Sequence, residues 1–225
     1  MFNLKRKERI MKKIMMIAAL MVATLSASAQ NEVGQITLKP MVGLNLASMT
    51  KADNSKMRVG VAAGVEGEYG VAENFGITAG LLYSMQGVKE SGSKSVYLPQ
   101  YNASVSFTGD ATTKLDYLNI PILANYYIVK GLAIKAGIQP GFCVSKKLAL
   151  KGTGTYNGQS VNVDSNDKID NGVKSFQFAI PVGASYEYKS FVLDARYNIG
   201  VTKAMEGSDS RHSVFTISLG YKFAL

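Results

Sequence analysis

The 225-residue sequence has no tryptophan, one cysteine (Cys143) and one histidine (His212). A lone cysteine excludes a disulfide within the chain, and a lone histidine leaves little material for a zinc site or for acid–base catalysis. After residue 29 there is no cysteine placed to accept a lipid anchor and no apolar run of the roughly 20 residues that a membrane-spanning helix needs. A metalloenzyme, a disulfide-stabilised domain and a helical membrane protein are therefore all disfavoured.

The formal net charge of +9 is concentrated in the N-terminal segment. Residues 1–29 hold six lysines and arginines and one acid, which leaves 19 basic and 15 acidic residues and a net charge of +4 in the remainder. A balance this modest does not imply a nucleic-acid partner. The basic and acidic residues after residue 29 are instead an ordinary mixture of charges, as in most folded domains.

The N-terminal segment is typical of an export signal. Met11-Lys12-Lys13 begins a charged region, residues 14–25 form an apolar stretch too short to span a bilayer, and Ala27-Ser28-Ala29 is a small-x-small cleavage site. We therefore assign residues 1–29 to a signal peptide, with the mature chain starting at Gln30. Because a complete signal follows Met11, we expect Met11 to be the true start. Residues 30–225 are then a single domain.

Polar and apolar residues alternate with period two in eight separate stretches. In residues 191–201, for example, Leu193 and Tyr197 share one side with the other apolar residues, while Asp194 and Arg196 lie on the opposite side. This is the pattern of a strand with one apolar and one polar face. The eight predicted strands are residues 36–47, 59–69, 75–87, 117–128, 132–144, 176–188, 191–201 and 213–223. Each has about 11 residues, the length a tilted strand needs to cross a bilayer.

The connections between these strands alternate between short and long. The short ones, 70–74, 129–131 and 189–190, predict tight turns, and the long polar ones, 48–58, 88–116, 145–175 and 202–212, predict loops. Membrane barrels keep short turns on the periplasmic side and long loops outside. Aromatic residues near the short turns predict one interfacial ring: Tyr69, Phe75, Tyr126, Tyr127, Tyr186, Tyr188, Phe191, Tyr221 and Phe223. A second, looser set lies towards the other rim: Tyr83, Phe142, Phe176, Tyr197 and Phe215.

The polar face decides between a membrane barrel and a soluble, lipocalin-like barrel. A water-exposed exterior would be dense in lysine, glutamate and threonine, whereas this face is mostly small or uncharged. Its charges are four acids and four bases: Lys39, Glu66, Glu68, Lys135, Glu187, Asp194, Arg196 and Lys222. Equal numbers can pair inside the narrow bore of eight strands, which side chains fill. The sequence thus predicts an all-β, eight-stranded antiparallel up-and-down transmembrane β-barrel, with these eight residues as a structural interior network.

Four prolines are incompatible with a regular hydrogen-bond ladder around the barrel. Pro40, Pro121, Pro140 and Pro181 all fall inside predicted strands, where proline cannot donate to the hydrogen-bond ladder. Because a closed barrel has no edge strand to hold them, we expect bulges or local breaks of the ladder at these positions.

Short motifs along the whole mature chain resemble the PorT-like outer-membrane β-barrel family of Bacteroidota. They are Gly43-Leu44-Asn45-Leu46-Ala47, Gly80-Leu81-Leu82-Tyr83-Ser84, Tyr117-Leu118-Asn119-Ile120-Pro121, Asp194-Ala195-Arg196-Tyr197-Asn198-Ile199-Gly200 and Leu219-Gly220-Tyr221-Lys222-Phe223. The resemblance implies an outer-membrane barrel, in a family mostly without assigned function whose namesake takes part in protein secretion. The chain departs from the usual barrel-assembly signal, because Ala224-Leu225 follow the last aromatic residue.

Candidate chemical sites are few. His212 lies beside Asp209 and Ser210 at a predicted exposed loop end, and a hexapeptide does not build a catalytic triad, so no catalytic residue is assigned. The acidic stretch 164–172 lacks the spacing of a calcium-binding loop, and no metal or cofactor is expected. In eight strands the bore is too narrow for an aqueous channel. Cys143 is interpreted as a small inward-facing filler.

The sequence therefore predicts a non-enzymatic outer-membrane protein, exported by its signal peptide, with both termini in the periplasm. The expected partners are outer-membrane lipid, the barrel-assembly machinery and a protein bound at loops 88–116 and 145–175. Three alternatives stay open: an accessory component of a protein-export machine, a small passive pore and, as the least favoured, a lipid-modifying enzyme whose effect on lipid A would be lost on His212→Ala. A pore would change its conductance on mutation of Arg196 or Glu66, whereas a partner-binding role would be lost on loop mutation with the barrel intact.

Overall fold

The computed structural model of the chain describes residues 32–50, 55–98, 103–156, 159–169, 172–207 and 209–225. The predicted signal peptide and the predicted start at Gln30 lie outside these residues. In the described ranges, no helix is long and apolar enough to cross a membrane.

The described residues form one antiparallel sheet that closes into a ring. Its strands are β1 (Ile36–Met49), β2 (Ser55–Ala72), β3 (Phe75–Leu98), β4 (Ala103–Asn119), β5 (Ile122–Val129), β6 (Leu132–Tyr156), β7 (Gln159–Lys168), β8 (Phe176–Tyr188), β9 (Phe191–Lys203), β10 (Arg211–Tyr221) and β11 (Phe223–Ala224). Each is paired with its neighbours in up-and-down order, and pairing of β1 with β10 closes the ring. Among the described residues, β5 continues the line of β4, β11 continues that of β10, and β7 pairs only with β6 and lies outside the ring, so the ring has eight members, as predicted.

The two faces of the ring alternate as the sequence predicts. On β1, for example, Val42 and Leu44 are exposed on the outside, whereas Lys39 and Asn45 are buried in the bore. The same alternation along the strands of the barrel wall, as in β8, β9 and β10, gives an apolar outer belt and a polar interior, which is the reverse of a water-soluble barrel. Tyr127 is an exception to the predicted aromatic ring, because its hydroxyl group lies in the interior network and donates to Glu68.

The prolines lie where pairing is interrupted. Pro121 separates β4 from β5, and across the same gap the amide of Ile120 donates to the carbonyl of Pro140 at 2.9 Å. Around Pro181, the β6–β8 register passes from Ala136↔Val182 to Gln139↔Ala179 with no pairs between them. Pro40 lies opposite the break between β10 and β11. The expected local breaks are therefore confirmed, and the missing N–H of proline is their cause.

The prediction of two long loops is wrong for most of their length. Residues 88–98, 103–116, 145–156 and 159–168 are strands, so β3 and β6 continue well past the predicted ends of the barrel wall. The alternation of polar and apolar residues does not predict these strands, because strands outside a bilayer do not need an apolar lipid-facing side. Serine and threonine fill most of one face of these strands, and glycines such as Gly92, Gly109 and Gly152 interrupt the other, so the composition resembles that of a loop in sequence. We call these four segments together the projecting sheet.

Candidate functional site: the charged bore and the projecting sheet

Five of the eight predicted interior charges meet in one layer of the bore. The Nζ of Lys39 lies 2.8 Å from Oε2 of Glu66, and the Nζ of Lys135 lies 2.8 Å from Oδ2 of Asp194. Arg196 joins the two halves, because its guanidinium group binds both Glu66 and Asp194, with Nε 2.6 Å from Oδ1 of Asp194. All five residues are buried. Buried charges are tolerated when paired in this way.

Strand register explains how this layer assembles. Lys39 lies directly opposite Glu66 on the β1–β2 pair, so this contact is local to one hairpin. On the other side, Gly183 lies opposite both Lys135 and Arg196, one on each neighbouring strand. A Cβ on Gly183 would lie 2.9 Å from the Cα of Arg196. The missing side chain therefore leaves room for the two long cations to extend into the bore.

The remaining three predicted charges form a second cluster towards the short turns. The Nζ of Lys222 lies 3.2 Å from carboxylate oxygens of both Glu68 and Glu187. It also donates to the hydroxyl oxygen of Tyr127 at 3.1 Å, and this hydroxyl donates to Glu68 at 2.7 Å. The second cluster has one base and two acids, and the first has three bases and two acids. Together the two clusters balance.

On the side of the first cluster facing the long strands, uncharged polar side chains fill the bore. Thr216 donates to Oδ1 of Asn45 at 2.7 Å, and Nδ2 of Asn45 donates to Ser84 at 2.9 Å. A cavity of about 20 Å³ lies between this layer and Arg196, which is room for about one water molecule. Polar side chains and this small cavity therefore fill the bore at this level.

An apolar cluster lies across the mouth of the barrel on the side of the long strands. Its members are Met49, Val88, Leu115, Tyr117, Val173 and Ala204. Two of them come from connections and not from the wall: Val173 precedes β8, and Ala204 follows β9. Backbone hydrogen bonds hold these connections together, as in the donation from Lys174 to the carbonyl of Ala204 at 3.0 Å. The mouth is thus closed by the protein's own chain.

His212 is part of this closure, and its predicted place in an exposed loop end is wrong. Because β10 begins at Arg211, two residues before the predicted start, His212 pairs with Met49 and its side chain points into the barrel, where it is 4% exposed. Its Nε2 lies 3.0 Å from the hydroxyl oxygen of Tyr117. Asp209 instead forms a salt bridge with Lys203 at 2.6 Å. The described partners of His212 and Asp209 therefore lie on β4 and β9, respectively.

The projecting sheet has two chemically different faces. Residues directly opposite on paired strands share a face, so the registers of β3, β4, β6 and β7 define them. One face carries Val105, Phe107, Ala111, Leu148, Leu150, Tyr156, Val161 and Val163, together with Glu90 and Asp167. The other carries Ser91, Ser93, Ser95, Ser106, Thr108, Asp110, Lys151, Thr153, Thr155, Ser160, Asn162 and Asp164. The sheet is therefore amphipathic although it lies beyond the barrel wall.

Side-chain hydrogen bonds and ion pairs run across the polar face. The hydroxyl groups of Ser93 and Thr108 lie 2.8 Å apart, and the Nζ of Lys89 lies 2.8 Å from Asp110. Hydrogen bonds from Lys89 and Ser91 hold the pKa of the Asp110 carboxyl below its usual value. Asp164 pairs with Lys151 at 3.5 Å. In the part of the chain that the structure describes, no group of three or more histidine, cysteine or acidic residues could hold a metal ion.

Strand β7 forms an edge of the projecting sheet. It pairs with β6 over ten residues without a register shift, and among the described residues no strand pairs with its other side. It contains no proline, and its charged residues (Asp164, Asp167 and Lys168) all lie in its second half, so residues 159–163 lack the features that usually block further pairing of an edge strand. Val161 on this strand is 67% exposed. The edge therefore presents free backbone donors and acceptors beside an apolar side chain.

The comparisons with known proteins agree with this architecture. A family model described as outer membrane protein beta-barrel domain matches residues 28–206. That family is broader than the PorT-like one, which stays a prediction. No curated protein matches the chain.

Similar solved structures are small outer-membrane proteins. The Yersinia pestis attachment invasion locus protein Ail has 14% identity over 85% of this chain and 100% of its own, with a TM-score of 0.43. Neisserial surface protein A has 12% identity over 88% of this chain and 98% of its own, with a TM-score of 0.43. OprG of Pseudomonas aeruginosa has 13% identity over 87% of this chain and 98% of its own, with a TM-score of 0.37. At identities this low, the similarity to these structures refers to the fold alone.

Proposed function

The chain belongs to the outer membrane β-barrel domain family, and from this premise we propose that it is a non-enzymatic surface protein that binds a partner protein through the projecting sheet. The barrel is the anchor, and the paired charges of the bore are structural. The protein is exported by the signal peptide in residues 1–29, with Met11 as the start. The short turns and both termini lie in the periplasm, and the projecting sheet lies outside the cell.

The length of the strands is the observation that carries this proposal. β8 has 13 residues, as a tilted membrane strand requires, whereas β6 has 25. At about 3.3 Å per residue, the extra residues extend the strand by roughly 40 Å along its own direction. A barrel does not need such an extension to span the membrane. An ordered, amphipathic sheet held away from the bilayer is suited to contact with another macromolecule.

Site-specific photo-crosslinking in intact cells tests the proposal. A crosslinking amino acid replaces Val161 at the exposed edge of β7, and the matched control replaces Val42, which faces lipid on β1. We expect a discrete protein adduct at position 161 and none at position 42. The partner identified at position 161 should co-purify with the wild-type protein and not with a variant in which residues 91–111 and 149–166 are replaced by short turns, while this trimmed barrel still shifts its gel mobility on heating.

Two results would count against the proposal. Absence of any protein adduct at position 161 and at other exposed positions of the sheet would remove the partner-binding role. An adduct confined to the periplasmic turn at Ser190 would favour the alternative of an accessory role in protein export, because such machinery would contact the chain from that side.

A further inference from the structure

Three lysines lie side by side in one row of the projecting sheet, close to the barrel. Lys114 on β4 is directly opposite Lys147 on β6, and Lys147 is directly opposite Lys168 on β7. Opposite residues in antiparallel strands have Cβ atoms about 5 Å apart, and like charges in these positions destabilise the pair. A continuous row of three cations therefore destabilises the sheet, and contacts within the sheet do not account for its presence.

The acids on the same face have other partners. Asp110 pairs with Lys89, Asp164 pairs with Lys151, and Asp116 lies 3.8 Å from Arg58. Among the described residues, the row has an uncharged polar contact, from Nζ of Lys114 to Oδ1 of Asn166 at 3.3 Å. The row thus keeps an excess of positive charge that an external anion would neutralise.

A cleft of about 300 Å³ adjoins two of these lysines. Its lining is Cys143, Val144, Ser145, Lys146, Lys147 and Lys168. The cleft exists because the β6–β8 pairing ends at Phe142↔Phe176, whereas the β6–β7 pairing begins only at Lys147↔Lys168. Between these two points, single backbone hydrogen bonds join β6 to that side, from Cys143 to Ser175 at 2.7 Å and from Ile169 to Lys146 at 3.2 Å. The cleft therefore combines ammonium groups and the Ser145 hydroxyl group in a concave site.

The level of the cleft relative to the bilayer indicates the kind of anion. Directly below it, Phe142 and Phe176 form an edge-to-face pair with ring centroids 5.5 Å apart, and both rings are half exposed on the outside. Aromatic residues in this position mark the boundary between acyl chains and headgroups. Val144, at the lower side of the cleft, is also exposed. A molecule bound here would have its anionic part beside the lysines and its apolar part beside Val144 and the two rings.

We propose that this cleft binds the phosphate groups on the sugar headgroup of an outer-leaflet glycolipid. Ammonium groups bind phosphate as strong point charges, and a row of them spans more than one phosphate. The apolar surface below the row accommodates the acyl chains of the same molecule. The inference uses the proposed orientation, with the projecting sheet outside, and it is independent of any partner protein at the edge of β7.

Binding of lipid A to the purified full-length mature protein tests this site. The probes are lipid A with both phosphates, enzymatically dephosphorylated lipid A, and inorganic phosphate, each measured by native mass spectrometry of the protein in detergent. The test variant is Lys147→Ser with Lys168→Ser, and the matched control is Lys89→Ser with Lys151→Ser, which removes two lysines already paired with acids. Heat modifiability of each variant verifies that the barrel is intact.

We expect the protein to bind phosphorylated lipid A at least about tenfold more tightly than the dephosphorylated form, since each charge-assisted contact adds measurably to affinity. The Lys147→Ser, Lys168→Ser variant should lose this preference, and the control should retain it. Equal binding of both lipids, or an unchanged preference in the test variant, would overturn the proposal. Inorganic phosphate that binds as tightly as the lipid would overturn the assignment to a lipid. None of these outcomes alters the crosslinking expected at Val161.

Discussion

Glu66 and Arg196 are separated by 130 residues in sequence and meet inside the barrel, where Nη2 of Arg196 donates to Oε2 of Glu66 at 2.8 Å. Glu66 belongs to β2 and Arg196 to β9, so β1 and β10 lie between them in the ring. The contact exists only when β1 pairs with β10 and the ring is closed. It therefore couples closure of the barrel to neutralisation of the buried charges.

Replacing Arg196 with methionine should lower the free energy of unfolding by about 3 kcal/mol or more, because the buried carboxylates of Glu66 and Asp194 lose the guanidinium group that binds both of them and keep lysines as their described partners. Urea unfolding of the protein in lipid vesicles measures this loss. The control is Lys203→Met, which breaks the exposed pair with Asp209 and should cost less than about 1 kcal/mol. Equal losses in the two variants would show that the interior pairs do not contribute to stability.

A second prediction concerns the space that Glu66 occupies. Gly80 lies directly opposite Glu66, and a Cβ on Gly80 would lie 2.7 Å from Cγ of Glu66 and 2.7 Å from the carbonyl oxygen of Val65. Gly80→Ala should therefore destabilise the barrel by about 1–3 kcal/mol through overpacking. Gly92→Ala is the control, since a Cβ there meets nothing within 4 Å. Unfolding of both variants in urea provides the comparison, and a neutral Gly80→Ala would contradict the packing described for the bore.

Amide hydrogen exchange distinguishes the projecting sheet from the loops that the sequence predicts. Residues 103–113 and 147–155 lie on the two central strands, each paired on both sides, so their amides should exchange slowly. The amides of β7 that point away from β6 should exchange much faster. Mass spectrometry of peptides from the folded protein would resolve these segments. Uniformly fast exchange across both central segments would mean that they are loops.

The carboxyl group of Asp110 offers a local test of the polar face. Its pKa is held below the usual aspartate value by hydrogen bonds from Lys89 and Ser91. The pairing is therefore complete above the ordinary pKa of aspartate, and it is lost as the pH falls through the lowered pKa. NMR titration of Asp110 should show the low pKa in the wild type and a higher one in Lys89→Met. An identical titration in both proteins would remove Lys89 as the cause.

The barrel wall was accessible to sequence reasoning because a lipid-facing strand must be apolar on its outside. That requirement places β8 at residues 176–188 in both the prediction and the structure. The projecting sheet has no such constraint, so its Ser- and Thr-rich strands looked like loops. His212 was misplaced for a related reason, since a short extension of β10 moved it from a loop to the interior. The pairing of Glu66 with Arg196 depends on the register that closes the ring, which alternation within single strands does not reveal.

Cysteine labelling in intact cells tests most directly whether the barrel displays the projecting sheet at the cell surface. In a Cys143→Ser background, single cysteines replace Val161 at the edge of β7 and Glu73 in the turn between β2 and β3. A membrane-impermeant maleimide should label Val161→Cys in intact cells and label Glu73→Cys only after the outer membrane is opened. Labelling of Glu73→Cys, with no labelling of Val161→Cys, in intact cells would contradict the orientation on which the proposed function depends.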